Sequence, residues 1–122
     1  MKFSDNFKQY EDNLRLFLAR LLVELQEDPE KLKEYTTKIK RRSSEKIYEG
    51  VNKIFSQLFF LESRIIFVRY GTLNDKPLTY DATSAIIGFK EDEVATYGEK
   101  TLQKLKDLGI KDSLERLINN VP

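Results

Sequence analysis

Carboxylates, hydroxyls, ammonium and guanidinium groups are the side chains left to do chemistry here, because the 122 residues include no cysteine and no histidine. Without cysteine there is no thiol nucleophile, no disulfide and no zinc–thiolate site. Without histidine the commonest general base and the commonest metal ligand are missing. Serine–histidine–aspartate hydrolysis and the zinc chemistries of metalloproteases and deaminases therefore cannot be assembled. The five glycines fall in neither GxGxxG nor GxxxxGKS/T spacing, which excludes both phosphate-cradling loops. Binding chemistry remains, and no enzyme is expected.

Charge is concentrated at three places. Lys38, Lys40, Arg41, Arg42 and Lys46 form a basic cluster. It reads either as a phosphate-contacting patch or as helix-end cations that offset a macrodipole. Lys100, Lys104 and Lys106 admit the same two readings. Glu91-Asp92-Glu93 is the acidic counterpart. With Glu11-Asp12 it is the nearest approach to a magnesium site, but no second cluster stands at ligand spacing, so a solvated face and no cofactor are expected. Twenty-one basic against twenty acidic residues give a net charge of +1. Nucleic-acid affinity must then come from a local patch.

The elements that position these groups read as helices. Phe3, Phe7, Tyr10, Leu14, Phe17, Leu18, Leu21, Leu22 and Leu25 recur at steps of three and four, the helical period. Ser4 or Asp5 is the candidate N-cap, and Asp28-Pro29 stops the helix near Glu27 and starts the next one. That second helix carries Leu32, Tyr35 and Ile39. Ser43-Ser44 caps a third, with Ile47, Val51, Ile54, Phe55 and Leu58 on one face. Phe59 to Tyr70 reads as a fourth, with Phe59, Leu61, Ile65, Ile66 and Val68 inward, although Ser63–Tyr70 can also be a strand, since Ile65, Ile66, Phe67 and Val68 favour strands. Gly71 is a candidate left-handed C-cap, and Thr72 to Leu78 reads as a loop.

Beyond the loop, Thr79 can cap a short helix that Gly88 breaks. A longer helix follows from about Lys90 to Asp107, with Val94, Tyr97, Thr101, Leu102 and Leu105 inward. Gly98 in its middle costs about 1 kcal/mol against alanine. After Gly109, Asp112 and Glu115 are spaced as a capping box for a last helix. The expected fold is all-α, a helical N-terminal half at 1–60 followed by a second unit at 61–122. The opening Met1-Lys2-Phe3-Ser4-Asp5 has no apolar run like that of a signal peptide, and no stretch is long enough for a membrane span. A cytoplasmic chain without membrane contact is expected.

Residues 62 to 105 resemble region four of bacterial sigma factors. The residues that carry the resemblance are Glu62-Ser63-Arg64-Ile65-Ile66, Val68-Arg69-Tyr70-Gly71, Thr79, Gly88, Val94 and Lys100-Thr101-Leu102-Gln103-Lys104-Leu105. ArpU-like phage regulators are similar in the same way. The resemblance implies a helix-turn-helix, with the second helix lying in the major groove of promoter DNA, and an origin in a phage or other mobile element. It implies DNA contacts from Thr79, Lys90, Thr96, Lys100 and Lys104, with Lys38, Lys40, Arg41 and Arg42 as a further phosphate-binding patch. Arg69 is a further candidate, or an internal partner of Glu62 or Asp81. The apolar face of the N-terminal helix reads as core, or in part as a face that pairs with a second copy of the chain or docks RNA polymerase.

Glu91, Asp92 and Glu93 stand where the family carries Arg, Thr and Gln, and three carboxylates there repel phosphate. A second reading therefore stays open. In it the unit keeps the helix-turn-helix shape and uses Glu91, Asp92 and Glu93 to dock a basic protein surface.

Overall fold

The structure is a computed structural model that describes residues 3–71 and 76–121, with side chains from Lys8 onward. The described residues form seven α-helices and no strand. They are α1 (Phe3–Gln26), α2 (Leu32–Ile39), α3 (Ser44–Phe55), α4 (Phe60–Tyr70), α5 (Tyr80–Ile87), α6 (Glu91–Asp107) and α7 (Ile110–Asn119). The all-α class is therefore as expected, and Ser63 to Tyr70 is helix rather than strand.

α1 is the axis of the molecule. Its residues Phe17 to Leu22 are buried without interruption, so its middle is covered all round rather than along one stripe. α2, α3, α4 and α7 supply the cover. Leu14, Phe17, Leu18, Leu21, Leu22 and Leu25 of α1 share one apolar cluster with Ile39, Ile47, Ile54, Ile66 and Tyr70, and with Leu105, Ile110, Leu114 and Ile118 from the C-terminal helices. α7 lies on α1, α2 and α3, so the last helix closes over the first three.

Several local expectations are corrected. α1 already begins at Phe3, so Ser4 and Asp5 lie inside it and not at its cap. The Asp28 side chain makes no capping hydrogen bond, and a 3-10 turn at Pro29–Lys31 precedes α2. Ser43 does cap α3, its hydroxyl accepting from the Lys46 N–H at 3.3 Å. Phe59 is 76 % exposed instead of inward, and Phe60 beside it 78 %. The α4 ridge that reaches the core is Ile65, Ile66 and Tyr70. Gly71 is extended, with φ of −71°, and so is not a left-handed cap. Gly109 takes the left-handed conformation at the head of α7 instead of an Asp112–Glu115 capping box. Of the expected loop, Thr72 to Asp75 lies outside the described residues.

Candidate functional site

α4, α5 and α6 pack on one another and carry the candidate site. Thr79 starts α5, its hydroxyl accepting from the Ala82 N–H at 3.1 Å. The Thr79 carbonyl accepts from the Thr83 N–H and hydroxyl. Gly88 ends α5 with φ of +83°, a left-handed geometry that glycine adopts without strain. Gly88, Phe89 and Lys90 make the turn, and α6 starts at Glu91.

The inward stripe of α6 is Val94, Gly98, Thr101 and Leu105, at steps of four, three and four. Tyr97, expected inward, is exposed. Gly98 takes its place because the helices cross there. A Cβ on Gly98 would stand 2.7 Å from the Tyr80 ring and 3.4 Å from Ile65. The glycine that weakens the helix as a sequence feature is a point of close approach to α4 and α5.

Arg69 fixes the entry to α5. Its Nε donates to the Leu78 carbonyl at 2.9 Å and a terminal nitrogen donates to the Tyr70 hydroxyl at 2.9 Å. Its guanidinium lies 4.1 Å from the Tyr80 ring centre and 5.0 Å from that of Tyr70. These contacts hold it inside the fold, and they replace the expected pairing with Glu62 or Asp81. Burial pushes the Tyr70 hydroxyl well above the ordinary tyrosine range, and Arg69 acts against it. Burial raises the half-buried Tyr80 as well. The buried Arg20 of α1, which the sequence reading passed over, donates to the Gly71 carbonyl and ties the end of α4 to the central helix.

The expected contact residues divide in two. Lys90, Thr96 and Lys100 are exposed on α6 and its cap, together with Glu91, Asp92, Glu93, Tyr97 and Glu99. Lys104 turns away from that face. It pairs with Glu62 at 3.0 Å and sits 4.6 Å from the Phe59 ring centre. Glu62 in turn accepts from the Phe59 backbone N–H at 2.8 Å, closing the start of α4. Ile86 near the end of α5 and Phe89 in the turn are also exposed. Sequence reading passes over Phe89 and expects Ile86 at the helix crossing, because the helical period marks apolar residues as inward and gives no sign of a turn that turns them out.

The basic cluster lies on α2 and the start of α3, which pack on α1 and α7, whereas α5 packs on α4 and α6. Lys38 donates to the Asn119 side chain at 2.8 Å, and Lys46 to Asn120 at 3.0 Å. Both cations thus meet the C-terminal end of α7, where the helix dipole favours positive charge. The Arg42 carbonyl accepts from Arg15 at 2.8 Å. Lys40 and Arg41 are exposed.

Among the described residues no three carboxylates converge on a metal-sized site, and no helix is long and apolar enough to cross a membrane. Compared with family models, curated proteins and solved structures, the chain matches none.

Proposed function

We propose that the chain is a small transcription regulator whose α4–α6 unit resembles sigma region four and binds promoter DNA through α6. One observation carries this reading. A capped short helix, a three-residue turn with a left-handed glycine and a longer helix pack on a common support, and the outer face of the longer helix is free. That is the arrangement a helix-turn-helix needs to lay its second helix in the major groove. Lys90, Thr96 and Lys100 lie on the free face, and Lys40 and Arg41 supply exposed charge elsewhere. A mobility-shift titration with genomic fragments tests the reading. The expected result is binding that weakens steeply with added salt. A chain that shifts no duplex at low salt sinks it.

A second reading, a protein-docking adaptor with the same shape, is favoured by the exposed Glu91, Asp92 and Glu93 and by the diversion of Lys104 to Glu62. Replacing the three acids by lysine separates the two. A DNA-binding unit gains non-specific affinity, whereas an adaptor loses its protein partner.

A further inference from the structure

On the side of α4 away from α6, Tyr10, Phe55, Phe60, Arg64 and Phe67 line an open groove of about 330 Å³. Its floor is ordered by ring packing. Phe17 lies 5.7 Å from Phe55 and 5.4 Å from Phe67, centre to centre, and Phe55 lies 6.0 Å from Phe67. Among the described residues Arg64 is the only charged side chain of the lining. Its guanidinium stands over the exposed Phe60 ring at 5.9 Å, and no carboxylate among the described residues pairs with it. An exposed aromatic groove with one unpaired cation is suited to a convex apolar group flanked by carboxylates.

The same chain displays such a group. Phe89 projects from the turn between α5 and α6, 46 % exposed, with the exposed Ile86 three residues before it. The exposed Lys90 comes next and then Glu91, Asp92 and Glu93, so three carboxylates outweigh one ammonium over these four residues. We infer that the groove takes the Phe89–Glu93 turn of a second copy of this chain, with Phe89 among the aromatic rings and the carboxylates facing Arg64. A two-fold pairing of groove with groove is disfavoured, because it brings the two Arg64 guanidinium groups together. α4 turns Phe60, Arg64 and Phe67 to the groove and Ile65 to α6, so groove and turn lie on different faces of it. The contact is therefore head-to-tail, and it leaves a free groove at one end and a free turn at the other. This inference does not depend on DNA binding.

Sedimentation equilibrium over a concentration series tests it. The weight-average mass is expected to rise above the 14.4 kDa of one chain and to fall back with added salt. Arg64→Glu and Phe89→Ser are both surface changes, and each is expected to remain monomeric with an unchanged circular dichroism spectrum. Mixed in equal amounts they are expected to pair one to one and grow no further, since only one groove and one turn in the mixture are intact. A chain carrying Arg64→Glu with Glu91→Lys and Glu93→Lys is expected to assemble again. A wild-type chain that is monomeric at every concentration overturns the inference and leaves the groove to a foreign chain. So does an Arg64→Glu chain that assembles as the wild type does, or a mixture of the two variants that stays monomeric.

Discussion

Gly98 is the residue at which helix propensity and packing pull in opposite directions. Alanine in a helix interior is worth about 1 kcal/mol over glycine. Here its methyl would stand 2.7 Å from Tyr80, whose ring is held by Arg69 at 4.1 Å and cannot swing freely away. Overpacking of this kind costs about 1–3 kcal/mol, so packing wins. Gly98→Ala is expected to lower the urea midpoint, and adding Tyr80→Ala is expected to recover part of the loss. A Gly98→Ala chain more stable than the wild type would remove the close-approach argument. Tyr70 makes a second residue-scale test. Its burial holds the hydroxyl protonated above the ordinary value of 10.0, so above that pH the unfolded chain releases a proton that the folded chain keeps. Stability then falls as pH rises. Tyr70→Phe is expected to flatten the alkaline limb of a stability–pH curve, and an unchanged limb would count against this. Two lysines give the third. Lys100 is exposed, so under the proposed DNA binding Lys100→Ala is expected to lower the salt slope by about one. Lys104 is committed to Glu62 and Phe59, so Lys104→Ala is expected to leave the slope alone. Equal slope changes for both would place Lys104 on the DNA.

At the scale of elements, the features legible in the sequence are the ones that depend on near neighbours in the chain. Ser43, Thr79 and Gly88 could be placed because a cap or a left-handed turn is decided within three or four residues. The helices themselves followed from apolar steps of three and four. Choices made by distant neighbours were not legible. Leu58-Phe59-Phe60-Leu61 offers more apolar residues than one helix face can bury, and nothing local says which ring goes outside. Its sequence context makes Gly71 a candidate left-handed cap, whereas its carbonyl is fixed from α1 by Arg20, 51 residues away in sequence. At the candidate site the exposure of Lys90, Thr96 and Lys100 could be read from the inward stripe. The turning of Lys104 to the head of α4 could not, because it is a tertiary contact. The local caps give an element-scale prediction. Thr79→Ala is expected to cost about 1 kcal/mol in thermal or chemical unfolding. Because Thr79 sets the start of α5, the same change is expected to weaken DNA binding without altering the salt slope. A shallower slope would instead make the hydroxyl part of the phosphate contact.

At the scale of the whole molecule, α1 and α7 join the two ends of the chain in one core. The aromatic groove and the Phe89–Glu93 segment are then held on one body with α4 between them. The turn at Phe89–Glu93 also lies where the head of α6 must approach DNA in the proposed helix-turn-helix. One surface cannot be buried in a neighbouring groove and in a major groove at the same time. If both proposals hold, self-assembly competes with DNA, and mass action sets the balance. Raising the total protein is expected to add less DNA-bound chain than independent binding allows. Arg64→Glu breaks the assembly from the groove side, away from α6, so it is expected to bind DNA more tightly per chain than the wild type at concentrations where the wild type assembles. At concentrations where both are monomeric the difference is expected to vanish, apart from the change in net charge. A duplex titration at two protein concentrations, with Arg64→Gln as a control for that charge, measures it. If both Arg64 variants bind more weakly than the wild type at the higher concentration, assembly assists DNA binding instead of opposing it. The turn would then have to be free in the assembled state, contrary to the head-to-tail contact.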